Sequence, residues 1–97
     1  MNSTVCTAIQ GKKVMRFYYD GGYRLAEPHC HGVSKDGNEL LRAYQVGGHS
    51  ESGQTEGWKL FRLDELSSLS ITDQSFAGPR PDYNPNDKAM ASIYCNL

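Results

Sequence analysis

Gly57-Trp58-Lys59-Leu60-Phe61-Arg62-Leu63-Asp64-Glu65-Leu66 alternates residue by residue and then breaks into a short acidic turn. Alternation at period two marks a strand, with Trp58, Leu60 and Arg62 on one face and Lys59, Phe61 and Leu63 on the other. An arginine beside large apolar groups either lines a polar pocket or carries its charged head to a rim on a buried stem. The segments on both sides repeat the alternating pattern, and together they decide the fold class.

Upstream, residues 14–19 read Val-Met-Arg-Phe-Tyr-Tyr, placing Met15, Phe17 and Tyr19 on one side and Arg16 and Tyr18 on the other. Asp20-Gly21-Gly22 is a strong hairpin signal, and residues 23–27 return as the partner strand. Pro28 ends that strand or confines it to an edge. Asp36-Gly37 centres a second turn. A third strand over 39–46 follows, with Leu40, Arg42, Tyr44 and Val46 on one face and Leu41, Ala43 and Gln45 on the other. Residues 47–57 carry four glycines and read as a mobile surface loop. Residues 67–72, with Leu69 and Ile71 alternating, form a fifth strand.

At the start of the chain, Ser3 or Thr4 caps a short helix over 5–10, and Gly11 ends it as a C′ glycine. Val5 and Ile9, four apart, face the sheet. After Phe76, prolines at 79, 81 and 85 forbid regular structure. Tyr83, Met90, Ile93 and Tyr94 are nevertheless too apolar for a solvated tail. The tail therefore packs on the sheet, with Asn86 or Asp87 capping one helical turn over 88–92.

The totals agree with one small domain. The chain has 97 residues, a formal net charge of -1, 38% hydrophobic residues and ten aromatic side chains. That is enough for a single core. The charge argues against a bulk nucleic-acid binder, which needs a positive field, but leaves room for a local basic pocket. No apolar run reaches membrane-spanning length, and Met1-Asn2-Ser3-Thr4 shows no secretory pattern. Cys6, Cys30 and Cys95 are odd in number and far apart, which suggests three reduced thiols in a cytoplasmic protein rather than a disulfide framework. Five short strands joined by tight turns predict an all-β, mainly β domain closed or nearly closed into a barrel.

The same segments resemble the WYL family, mostly ligand-sensing modules of bacterial transcription regulators. Ala8-Ile9 with Lys12-Lys13 resembles the family's opening, and Phe17 with Tyr19 its first strand. Glu27-Pro28 is similar to a recurrent pair in the second strand, and Arg42-Ala43-Tyr44 to the end of the third. Phe61-Arg62-Leu63-Asp64-Glu65-Leu66 is similar to the fourth strand and turn. Where the family carries its naming Trp-Tyr-Leu, this chain reads Glu39-Leu40-Leu41. The resemblance implies a five-stranded Sm-like, SH3-like β-barrel over about 7–76, a short N-terminal helix and an irregular packed tail over 77–97, within one domain spanning 1–97. The resemblance implies transcription regulation, but about six residues precede the match, too few for the helix-turn-helix of larger relatives, so their repressor function does not carry over with it.

The resemblance also implies a pocket for an anionic ligand, with Arg42 and Arg62 neutralising phosphate and Tyr44 stacking or hydrogen-bonding. The residues alone support an alternative in which Arg42 and Arg62 pair with Glu39, Glu27 or Asp64 at a rim. His29 and His31 share a side if the strand continues past Pro28. They complete the pocket wall as donors and pH sensors, or stand as two surface histidines. A zinc site of His29, His31 and His49 lacks conventional ligand spacing, so no metal is expected. Tyr18 and Trp58 are candidates for an exposed aromatic surface, whereas Tyr19 and Phe61 belong to the core. Ser50, Ser52 and Cys30 have no base and orienting acid placed beside them in sequence, and no glycine-rich phosphate loop precedes a helix. We expect no enzyme, no catalytic residue and no cofactor.

Two functions remain. One is a regulatory module binding a nucleotide, a cyclic oligonucleotide or a short single-stranded nucleic acid through His29, His31, Arg42, Tyr44 and Arg62. The other is a protein-interaction or dimerisation module without a small ligand, its partner a second copy or a regulatory protein.

Overall fold

The computed structural model describes residues 2–50 and 53–97, and for Asn2 the backbone alone. Ser52 and the rest of positions 51 and 52, part of the glycine-rich loop, lie outside the described residues. The elements run α1 (Asn2–Gly11), β1 (Lys13–Tyr19), β2 (Gly22–Val33), β3 (Glu39–Gly48), β4 (Gly57–Arg62), a 3-10 turn (Leu63–Glu65), β5 (Ser67–Ser75) and β6 (Ser92–Asn96). Among them no helix is long and apolar enough to cross a membrane.

All strand pairs are antiparallel, in the order β4-β3-β2-β1-β5, with β6 added to the far half of β2. The mainly β class is as expected, but two features correct the sequence reading. Among the described residues there are six strands rather than five, and the sheet is not closed, since β4 and β5 end the path without pairing with each other. The 3-10 turn between them sends Leu63 and Leu66 into the core, 2% and 6% exposed.

The β1–β2 hairpin forms as its sequence demands. Asp20 and Gly21 take φ of 46° and 96°, the left-handed pair of a type I′ turn. At the end of α1 the left-handed residue is Lys12, with φ 51°, rather than Gly11. The helix begins at Asn2, so Ser3 and Thr4 lie within its first turn, and Ser3 accepts a 2.7 Å bond from the Thr7 hydroxyl through its carbonyl.

β2 does not stop at Pro28. It runs twelve residues, and Pro28 pairs with Ala43 of β3. On its other edge β2 meets β1 only as far as Ala26 and β6 only from Cys30. Pro28 therefore occupies the gap between partners, where a strand needs no donor. The register shifts at His29, the bulge that sets the direction of the following side chains.

The core gathers Val5, Ala8 and Ile9 of α1, Met15 and Phe17 of β1, Ala26 of β2, Leu41 and Ala43 of β3 and Phe61 of β4. Phe61 meets Phe17 and Tyr19 edge-on, both at 4.9 Å between ring centroids, an arrangement worth about 0.5–1.5 kcal/mol per pair beyond area burial. These are the core faces that alternation predicted. Arg24, only 4% exposed, closes one end of this core. Its guanidinium lies 5.0 Å from the Tyr19 ring centroid, and Nε donates to the Tyr19 carbonyl at 3.2 Å.

The tail packs as expected but is not irregular throughout. Asp87 accepts from the Ala89 N–H at 3.0 Å through its side chain, and a single turn closes from the Met90 N–H to the Asp87 carbonyl at 3.1 Å. No helix follows over 88–92; the chain becomes β6 instead. The exposed pattern Ser-Ile-Tyr-Cys-Asn gives no clean alternation, and β6 is a strand because β2 offers it an open edge.

Candidate functional site

The outer face of β3 and β4 carries Arg42 and Tyr44 beside Leu60 and Trp58, with Tyr44 directly opposite Trp58 in the ladder. The tail crosses this face and leaves a crevice of about 300 Å³, lined by Arg42, Trp58, Asp82, Tyr83, Asp87 and Lys88 among others. Tyr83 stacks against Trp58 at 6.1 Å with 20° between ring planes. The Trp58 indole N–H donates to the Pro81 carbonyl at 3.0 Å, so the tail fixes the ring. Trp58 is thus half-covered rather than an open platform, whereas Tyr18 is 40% exposed as expected.

Arg42 grips Asp87 with two prongs, Nε to Oδ2 at 2.7 Å and Nη2 to Oδ1 at 3.2 Å. The hydrogen bonds from Arg42 hold the Asp87 carboxyl below the usual carboxylate range against the opposing effect of burial. Lys88, on the same rim, forms no ion pair with a described residue. Burial pushes the Tyr83 hydroxyl up to about 12, so it stays protonated; its single proton is donated to the His29 backbone oxygen at 3.2 Å, with the Leu97 backbone oxygen also in reach at 3.4 Å.

Tyr44 flanks the crevice. Its ring meets Trp58 at 5.5 Å and lies under the Arg80 guanidinium at 4.5 Å. Arg80 in turn forms a second forked pair with Glu27, at 2.8 and 3.0 Å.

The five residues expected to form the ligand wall are not one cluster. Arg42 lines the crevice, Tyr44 flanks it and His29 lies beneath it, 4.7 Å from Trp58 and 5.2 Å from Tyr83 between ring centroids. His29 is fully buried, and both its nitrogens are engaged. Nδ1–H donates to the Glu27 carbonyl at 2.8 Å, and Nε2 accepts the Arg80 N–H at 3.1 Å. It supports the aromatic floor and has no N–H left for an anion. Burial lowers its pKa, which keeps this neutral form.

Arg62 sits on the same face of β4 but outside the crevice lining. It pairs with Asp64 at 2.9 Å and reaches Asn38 at 3.3 Å, as the rim alternative predicted. His31 is elsewhere, because the bulge at His29 turns it to the α1 side of β2, where Cys6, Cys95 and Glu39 surround it. The expectation that His29 and His31 share a wall is corrected by that one extra residue.

The cysteine reading is corrected too. Cys6 and Cys95 form a disulfide, with Cα atoms 5.8 Å apart, and Cys30 alone is free. Cys30 is buried, and burial raises its thiol to about 11, which leaves it unreactive. With Cys6 and Cys95 joined, the chain does not carry the three free thiols expected of a reducing compartment.

Sequence reasoning missed Tyr83, Asp87 and Lys88. The apolar content of the tail signalled that it would pack, but nothing in its pattern gave the register at which it crosses Arg42. Compared with family models, curated proteins and solved structures, the chain has no match.

Proposed function

We propose that this chain is a small-ligand-binding regulatory module whose site is the crevice between the β3–β4 face and the tail. The observation that carries the reading is the crevice itself, in which a stacked Trp58–Tyr83 pair stands beside the cations Arg42 and Lys88. Aromatic faces next to a guanidinium suit a planar group bearing phosphate, because π-faces stack bases and the guanidinium fork binds phosphate oxygens. The volume is at the small end for ligand pockets, which favours a mononucleotide over a cyclic oligonucleotide or a single strand. The WYL resemblance points to the same ligand chemistry.

In this reading Asp87 is a built-in competitor. It occupies Arg42 until a phosphate displaces it, and Lys88 supplies the charge that makes the exchange favourable. The test is a thermal-shift screen with mononucleotides, cyclic nucleotides and short single strands. A ligand that binds only the folded chain raises its melting temperature, and that rise must shrink at the same ligand concentration in Arg42→Ala. No shift with any of them moves the assignment to the second reading.

The second reading is an interaction module, and the open sheet favours it. β5 is exposed along most of its length and ends the sheet, and such an edge can accept a strand from a second copy or a regulatory protein.

A further inference from the structure

On the face of β2 opposite the crevice, three metal-type donors converge from three elements. Cys6 comes from α1, His31 from β2 and Cys95 from β6, with His31 and Cys95 directly opposite each other in the ladder. Their ligand atoms all lie within 4.8 Å of one another. His31 is 0% exposed, and its Nδ1 lies 3.8 Å from the Cys6 sulfur and 3.9 Å from the Cys95 sulfur. Its other nitrogen, Nε2, faces Glu39 Oε1 at 3.4 Å. Both atoms are buried, and among the described residues neither has a partner in hydrogen-bonding geometry. A metal-bound histidine typically turns its second nitrogen to a carboxylate in this way, which fixes the tautomer and leaves the lone pair for the metal.

We propose that Cys6, Cys95 and His31 form a site with two states: a disulfide when oxidised and a zinc site when reduced. In the reducing step a dithiol attacks the Cys6–Cys95 bond and leaves as its own cyclic disulfide. Its two electrons and two protons convert the sulfurs to two thiols. Zn²⁺ then binds both sulfurs and His31 Nδ1, releasing the two thiol protons, and water takes the fourth position.

The geometry needs little adjustment. Bonds of ~2.3 Å to sulfur and ~2.0 Å to nitrogen at tetrahedral angles put nitrogen ~3.5 Å from each sulfur, within a few tenths of an ångström of the separations present. Only the two sulfurs must part, by side-chain rotation on backbones already held by α1 and β6. Two sulfurs and an imidazole select a soft or borderline ion over calcium or magnesium. Both cysteines are half-buried, within reach of a reductant, whereas the third thiol, Cys30, lies across the sheet against Met90. The disulfide ties the N-terminal helix to the last strand, and the zinc state adds β2 to the same clamp through His31, so α1 and β6 stay joined in both redox conditions.

The test is cobalt titration of the full chain, reduced with a phosphine and kept free of oxygen. The reduced protein is expected to bind one Co²⁺ with a thiolate-to-cobalt charge-transfer band, to lose it on adding Zn²⁺, and to show no band when oxidised. Cys30→Ser keeps the band, and Cys6→Ser and Cys95→Ser each weaken it. Because His31 is buried and its replacement endangers folding, the second-nitrogen role is tested in Glu39→Gln, which should bind roughly 10–100-fold more weakly. A reduced, folded protein that shows no thiolate band with cobalt in excess overturns the proposal. So does a band that survives unchanged in both Cys6→Ser and Cys95→Ser.

Discussion

Arg42 of β3 and Asp87 of the tail, 45 positions apart, form a forked ion pair that pins the tail across the β3–β4 face. Asp87 is the more enclosed partner, its side chain 8% exposed against 29% for Arg42. Asp87→Asn leaves a guanidinium without its counter-charge and is expected to cost about 1–3 kcal/mol, read by denaturant unfolding. The pH dependence has a definite sign. The folded-state pKa of Asp87 is depressed below the unfolded value of 3.8, so its stabilisation is complete above that value. It is lost as pH falls below 3.8 through the folded value. The gap between wild type and Asp87→Asn should therefore narrow in that acid range and stay constant from pH 5 to 7.

Arg62 is the contrasting case. Its pair with Asp64 is exposed on both sides, 46% and 67%, and exposed pairs contribute about 0–1 kcal/mol. Arg62→Ala should unfold within about 0.5 kcal/mol of wild type and leave crevice binding unchanged. A binding loss as large as that of Arg42→Ala would return Arg62 to the site.

The Cys6–Cys95 disulfide closes a loop across 89 positions, nearly the whole chain. Reduction in the presence of a chelator should lower stability by about 2–5 kcal/mol, measured as paired melts with and without reductant. An unchanged melting temperature would mean that α1 and β6 are held by packing alone.

Gly32 lies where β6 crosses β2. A Cβ there would meet the Ser92 carbonyl oxygen and come within 2.8 Å of the Met90 sulfur. Gly32→Ala should cost about 1–3 kcal/mol by overpacking and increase amide exchange in β6 before the other strands. The same exchange pattern in wild type and variant would contradict the close packing.

Much of this architecture was legible from alternation. Met15 and Phe17, Leu41 and Ala43, and Phe61 all face the core as their period-two positions require, and Asp20-Gly21 forms its turn from local chemistry alone. What was not legible depends on long-range choices. Pro28 sits inside a strand because two different partners leave a gap there, and one bulge at His29 separates two histidines that simple alternation joins. β6 follows from an open edge of β2 rather than from its own sequence. Arg42 and Tyr44 share one face of β3, as alternation places them. Their partners Tyr83 and Asp87 lie in a segment whose docking register no local pattern encodes.

Trp58 is the chain's single tryptophan, and it stands in the wall of the crevice, so its fluorescence reports that site and no other. The most direct test of the crevice as a nucleotide site is a fluorescence titration with nucleoside phosphates on wild type, Arg42→Ala, Lys88→Ala and Arg62→Ala, with circular dichroism confirming that each is folded. The account predicts a saturable change in wild type and Arg62→Ala, weakened roughly tenfold or more in Arg42→Ala and Lys88→Ala, as loss of a charge-assisted contact implies. No saturable change with any nucleoside phosphate, or equal affinity in all four proteins, would contradict it.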